Sequence, residues 1–337
     1  MRRSRMVASI VGTMLAIVAL LLEVSPVGER LPAGEHSDRA ARPPSLSGND
    51  SQPAADMAAV WESWPRPPRV GLQVGHWNSA AAPDELARLR HNSGTAGGGY
   101  TELEVNLRVA TLVKDRLEAA GVVVDLIPAT VPIRYQADAF VAIHADGFWS
   151  PEKRGWKLAT YWRSSPASEK LAAWLLAHYN TLGLPYDPKV TANMRGYYAF
   201  NRRFSHAIAS TTPGVILELG FLTNAEDRAM LVNEPERLAD AIAMGILSYL
   251  RDHDPLDASL RLTPPDPAPV RPQAPITAYS GPSERSPAIR TIYPAEILYP
   301  ISRERGWYKV PLPPDLSRIG WVRVRDVIEA RPRARWR

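Results

Sequence analysis

Three side chains that bind metals or carry protons stand where apolar runs end. "VGLQV" leads into Gly75 and His76, "AFVAI" leads into His144, and "GVILELGF" carries Glu218 near its end. Taken singly, a histidine at a strand end is most often a hydrogen-bonded structural residue. Glu218 is harder to dismiss, because it follows Val215, Ile216 and Leu217 and precedes Leu219. An ionised carboxylate in such a setting is costly unless paired or metal-bound. A fourth candidate lies in "YTELEVNLRVATLVKDRLEAAG". Thr101 and Glu104 have the spacing of a capping box, which gives Glu104 a structural task at a helix start. Val105, Val109, Leu112 and Val113 recur at helical spacing and mark the buried stripe, and Glu102 falls on that face in the first turn. The helix dipole is worth only about 0.3 to 1 kcal/mol there. An inward Glu102 therefore calls for a cation, the alternative being a carboxylate turned to solvent.

Two histidines and one glutamate can hold zinc with a fourth position open to water, the arrangement of catalytic rather than structural sites. Zinc lowers the pKa of a water to around 7 and polarises a carbonyl. Glu218 then remains as a general base that takes a proton and returns it to a leaving nitrogen. These are the parts for hydrolysing an amide. The 337 residues contain no cysteine, so disulfides and thiolate sites are excluded and a transition metal must rest on His, Asp or Glu.

The elements that must position these groups are legible in the apolar pattern. "RVGLQV", "GVVVDLI", "AFVAI", "LATYW" and "GVILEL" read as strands, spaced by a helix over 102–120, a helix from Pro166 and a helix pair between 225 and 250. Strands alternating with helices imply an α/β fold, a mostly parallel sheet with helices on both faces. In such sheets ligands bind beyond the carboxyl ends of the strands, where His76, His144 and Glu218 stand. Residues 276–330 change character: short strands are broken by "SGPSERS", "YPAE" and "RERG", and no helical period survives, so a small all-β barrel is expected.

The 32 prolines mark linkers. Residues 26–66 read as a disordered tether, 67–253 as the catalytic domain, 254–275 as a proline-rich linker and 331–337 as a basic tail. Before them, Arg2, Arg3 and Arg5 precede an apolar run from Val7 to Leu22, so 1–25 reads as a signal peptide or a single membrane anchor. Either places the rest outside the cytoplasm. The net charge of +5 favours an anionic neighbour, and export removes nucleic acid from the candidates.

The order His76, Glu102, His144, Glu218 resembles the zinc-dependent N-acetylmuramoyl-L-alanine amidases of the bacterial cell wall. The matching pieces are "VGHW", "ELEVNL", "ADAFVAIHAD" and "PGVILELGFLTN", within residues 70–252. The resemblance implies zinc on His76, Glu102 and His144, with Glu218 catalytic, and cleavage of the bond between the muramic lactyl group and L-alanine in peptidoglycan. There are departures: Gln73 stands for the family's Asp, Trp77 for its Gly, Asp146 for its Asn, and "VPIRYQAD" is shortened while keeping Arg134. Residues 276–330 resemble a bacterial SH3-like domain, through "YSGPSERSPAI", "GWYKV" and "GWVRVRDV", and such modules bind wall peptide or polymer. Trp307 and Trp321 are read there as core residues or as ligand-facing.

Other candidates are weaker. His91 lies in a Gly-rich loop and reads as a surface histidine, and Arg195 as a solvated arginine. His178, His206 and His253 have no matching partners, and glycines 97–99 lack the Lys-Ser or Lys-Thr of a phosphate loop. Two rival functions remain open: an inactive wall-binding or regulatory homologue, against which the intact Glu218 argues, and a zinc exopeptidase, which would need an acidic residue bridging two metals.

Overall fold

A computed structural model describes residues 61–313 and 318–330. The signal or anchor over 1–25, nearly all of the tether, and the tail over 331–337 lie outside the described residues. Among the described residues no helix is long and apolar enough to cross a membrane.

The α/β part is built on strands β1 (Arg69–Val74), β4 (Val123–Ile127), β5 (Ala139–Asp146), β6 (Lys157–Ala159) and β7 (Gly214–Phe221), with β2 (Ala96–Gly97) and β3 (Tyr100–Thr101) forming a separate small hairpin. The main sheet has the order β4-β1-β5-β7-β6, parallel throughout except for β6, which runs antiparallel to β7. Its helices are α1 (Glu102–Ala119), α2 (Pro166–Tyr179), α3 (Ala192–Arg195), α4 (Ala225–Asn233), α5 (Pro235–Arg251) and α6 (Ala258–Arg261). This is the expected mixed α/β class. β5 is central and covered on both faces, which is why Phe140, Val141, Ala142 and Ile143 form an unbroken apolar run, each fully buried. Val141 and Ile143 join the core under α1, α2 and α5, while Phe140 and Ala142 pack with Leu86, Val131, Tyr198 and Phe200 on the other side. Short helical turns, rather than long helices, cover that second side.

Three boundaries differ from the sequence reading. Trp61 and Trp64 belong to the main core, and the Trp61 indole donates to the Ala120 carbonyl at 2.7 Å, so the fold begins before residue 67. The strand read as "LATYW" is shifted to Lys157–Ala159. The stretch 254–275, read as a linker, holds α6 and strand β8 (Val270–Pro272), which pairs with β14 (Val327–Glu329). Its proline-rich part is strapped to the domain, Arg202 donating to the carbonyls of Thr263 (2.9 Å) and Pro264 (2.6 Å) and the Tyr161 hydroxyl donating to Asp266 (2.9 Å).

Strands β9 (Ile276–Tyr279), β10 (Ala288–Ile292), β11 (Ser302–Glu304), β12 (Trp307–Leu312) and β13 (Arg318–Arg323) form an antiparallel sheet in the order β10-β9-β13-β12-β11. Val270, Ala278, Ile292, Leu298, Val310 and Val322 fill its core. Trp307 and Trp321 are both buried, and Lys309 lies between the rings of Trp321 and of Trp162 in the α/β part.

Candidate metal centre

The capping box at Thr101 is present in full and fixes where α1 begins. Its side chain accepts from the Glu104 amide (3.3 Å), and the Glu104 carboxylate accepts from the Thr101 amide (2.8 Å). The next residue, Glu102, is thereby placed in the first turn on the stripe shared with Val105 and Val109, and it is 4% exposed. One of its oxygens lies 3.1 Å from His76 Nε2 and 3.0 Å from His144 Nδ1. His76, Glu102 and His144 offer ligand atoms that all fall within 4.8 Å of one another, the only such group among the described residues. Two imidazole nitrogens and a carboxylate oxygen are a donor set that suits zinc, and the group could hold a metal.

Each of the three is held from behind. Glu102 accepts from the backbone amides of Thr95 (2.9 Å) and Ala145 (3.2 Å) and from the Asn106 side chain (3.3 Å). His76 donates through Nδ1 to the Asn92 carbonyl at 2.9 Å, which orients the ring with Nε2 toward the cluster. His144 meets the Tyr197 hydroxyl through Nε2 at 3.2 Å. The imidazoles stand edge to face, with centroids 5.2 Å apart.

The backbone is shaped around this crowding. His76 has φ 66°, the left-handed region that a non-glycine residue seldom occupies and that carries a local strain of about 1 to 3 kcal/mol at functional positions. A Cβ on Gly75 would come within 2.5 Å of the His144 ring, and one on Gly94 would come within 2.5 Å of Glu102 Oε2. Both positions need glycine because the His144 and Glu102 side chains occupy the space.

The electrostatics separate two carboxyl groups. Burial pushes Glu102 up, but hydrogen bonds and charge from His144 and His76 outweigh it and hold the group well below the usual carboxylate range. Burial pulls His76 down, and the bond to Glu102 overcomes that and raises it. Glu218 goes the other way. It is the register partner of His144 on β5 and of Lys157 on β6, which puts it beside the cluster at the carboxyl end of the sheet. Burial, then the charges of Glu102 and Asp146, push its carboxyl well above the usual range, with Lys157 opposing. Lys157 is itself buried, 2.7 Å from Asp146 and 3.2 Å from Asp187, and its Nζ lies 4.7 Å from the centre of the Phe221 ring.

All four residues singled out from the sequence thus occupy one end of the sheet. His91 is exposed. His178 bonds Ser248, His206 bonds the Val131 carbonyl and His253 stacks on Tyr249, none of them in the cluster. Arg195 stacks over Trp162 rather than standing free in solvent. Sequence reasoning missed Asn106, Tyr197 and Lys157 as parts of the site. Only Lys157 left a visible signal, a charge inside the apolar stretch "GWKLATYW".

A family model described as N-acetylmuramoyl-L-alanine amidase matches residues 75–248. A curated relative, N-acetylmuramoyl-L-alanine amidase LytC of Bacillus subtilis (strain 168), is 29% identical over 175 residues, 48% of this chain and 33% of that protein. The chain thus spans about a third of the length of that relative. Among solved structures, the amidase AmiC2 of Nostoc punctiforme is 25% identical, with 54% of this chain and 97% of that chain covered and a TM-score of 0.38. The amidase Ami1 from Mycobacterium smegmatis is 21% identical, with 56% and 99% covered and a TM-score of 0.42.

Proposed function

This chain belongs to the N-acetylmuramoyl-L-alanine amidase family, and on that premise we propose that it is a zinc-dependent amidase that cleaves the bond between the muramic lactyl group and L-alanine in peptidoglycan. The observation that carries the reading is the convergence of His76, Glu102 and His144 at the sheet end where Glu218 also stands. His76 Nε2, His144 Nδ1 and the Glu102 carboxylate would hold the zinc. Bound there, zinc would acidify a water to a pKa of about 7 and polarise the amide carbonyl.

Glu218 moves the proton. Its burial and the charges of Glu102 and Asp146 favour the protonated carboxyl, the form that can give a proton to the leaving nitrogen. The charge of Lys157, and that of a cation in the cluster, favour the ionised form, which can accept one. A carboxyl balanced between opposing influences suits a group that must do both in one turnover. An inactive wall-binding homologue would have no need of this balance. A single ligand group among the described residues also favours one zinc over the bridged pair of an exopeptidase.

The wider reading is an exported enzyme. The basic start and the apolar run over 7–22 would send the chain out of the cytoplasm, as a cleaved signal or as an anchor. The β module over 276–330 would serve as an SH3-like domain that binds wall material, with no nucleic-acid partner.

The test is chemical. The purified chain is expected to hold about one zinc, to release stem peptides bearing new L-alanine amino termini from peptidoglycan, and to stop when a chelator strips the metal. New sugar reducing ends, or cleavage within the peptide, would assign a different hydrolase.

A further inference from the structure

Trp61, Trp64, Trp156, Trp307 and Trp321 are buried, as indoles of a folded chain usually are. Trp149 stands apart: it is 87% exposed, more than any other large apolar side chain among the described residues. Phe148 beside it is 43% exposed, and the two ring centroids lie 5.3 Å apart with the planes at 38°, so the pair offers one aromatic surface to solvent. An indole left in water forgoes the burial that stabilises the others.

The segment that carries the pair is pinned along its length. The Gly147 amide donates to Asp146 (2.8 Å), the Phe148 amide to the Thr223 hydroxyl (3.1 Å), the Asn224 side chain to the Pro151 carbonyl (2.7 Å) and the Gly155 amide to Asp227 (2.6 Å). Held in this way, the pair has little backbone freedom left to lose when a ligand settles on it. The same pins fix its place. Gly147 lies against Thr95, where a Cβ would collide with the threonine side chain, and the Thr95 amide donates to Glu102 at 2.9 Å. Phe148 is therefore next in the chain to a residue that touches the group holding Glu102. Thr223, which holds Phe148, lies two residues past the end of the strand that carries Glu218. The pair thus stands at the carboxyl end of the sheet, on the edge of the cluster.

We propose that Phe148 and Trp149 form a platform for a sugar ring of the glycan strand. The proposal rests on the amidase reading above and names what recognises the sugar side of that substrate. A pyranose ring is polar around its rim, but its faces carry C–H groups that pack on the electron-rich face of an aromatic ring. In peptidoglycan the muramic ring is joined to the scissile carbonyl through the lactyl group alone, so a sugar must lie beside the cluster whenever that carbonyl reaches it. A lipid surface fits less well. The basic residues that follow the pair are engaged by carboxylates, Lys153 by Asp187 and Arg154 by Glu226 and Asp227, which weakens any hold on anionic headgroups.

Two soluble substrates read the platform: a disaccharide carrying its stem peptide, and the same peptide carrying only the lactyl group. The full chain loaded with zinc should prefer the first in kcat/KM. Trp149→Ala should shrink that preference about tenfold, mainly through KM, and Trp149→Tyr should keep most of it. A second measurement needs no turnover. In the metal-stripped full chain with 15N-labelled tryptophan, the indole signal that vanishes in Trp149→Tyr should shift when a peptide-free tetrasaccharide of the glycan strand is added, and stay in place with the free stem peptide. A parent with no preference for the sugar, a preference unchanged in Trp149→Ala, or an indole that answers only to the peptide overturns the platform. So does an indole that answers only to vesicles of anionic phospholipid, which would make the pair a membrane contact. A sugar-dependent shift in a chain that releases no L-alanine termini from either substrate would overturn the amidase reading and leave the sugar site in place.

Discussion

The two carboxyl groups beside the cluster, Glu102 on α1 and the half-buried Glu218 on β7, meet the loss of water by opposite means. On the α1 side, Glu102 is surrounded by donors: two imidazoles, two backbone amides and the Asn106 side chain. Its charge is fully compensated, and the group stays ionised far below the usual range. On the β7 side, Glu218 sits beside like charges, Glu102 and Asp146, with Lys157 as the opposing cation, and its proton is held tightly. Lys157 is itself shared with Asp146 and Asp187. One carboxylate is thus fixed in a single state, which suits the proposed ligand, and the other is balanced between opposing influences, which suits the proposed proton carrier.

Exchanging the two roles by mutation is the strongest way to break this contrast. Glu218→Ala is expected to keep its zinc and lose about 10²- to 10⁴-fold in kcat, the worth of a general acid–base group. Glu102→Gln, which keeps the shape but not the charge, is expected to lose the zinc and the activity with it. Metal analysis beside murein hydrolysis separates them. If Glu218→Ala comes out metal-free, Glu218 is a ligand and the contrast fails.

Lys157 offers a finer cut. Its charge lowers the Glu218 pKa, so Lys157→Met should raise it further. Since the ionised form is needed to accept a proton, the acid limb of the activity profile should move to higher pH. Asp146 would lose its cation while Asp187 keeps Lys153 at 2.8 Å, and Asp146 retains some exposure. The stability cost should therefore be about 2 kcal/mol, below the 3 to 5 of a fully buried pair broken on one side. A profile that stays in place, measured on the folded variant, would remove Lys157 from the proton chemistry and leave it a structural cation.

The four site residues and the groups that contact them differ in how much the sequence discloses. His76, His144, Glu102 and Glu218 stand at strand ends or a helix start, positions that apolar periodicity marks along the chain. What tunes them comes from far away: Tyr197 reaches His144 across 53 residues and Gln73 reaches Tyr197 across 124. Such pairings have no period and leave no local trace. Composition misled at the domain edges for a related reason. "WESWPRPP" and "TPPDPAPV" lack helical or strand patterns, but a missing pattern does not mean missing contacts. Trp61 is buried in the core, and proline-rich carbonyls accept from Arg202 because proline removes a donor and keeps its acceptor.

The smallest expected effect tests what places Glu102. Both the cap at Thr101 and the donors around the carboxylate could set its position. Removing the cap hydroxyl with Thr101→Ala should cost about 1 kcal/mol, seen as a Tm lower by about 2 to 4 °C for a domain of this size. The Thr101 amide still donates to Glu104 at 2.8 Å, so α1 should start at the same residue. With Thr95, Ala145 and Asn106 still holding the carboxylate, zinc affinity should stay within about threefold, far from the 10- to 100-fold loss that follows when a ligand's support is removed. A tenfold loss of zinc at unchanged fold would mean instead that the helix start does the positioning, and that the ring of donors follows the carboxylate rather than holding it.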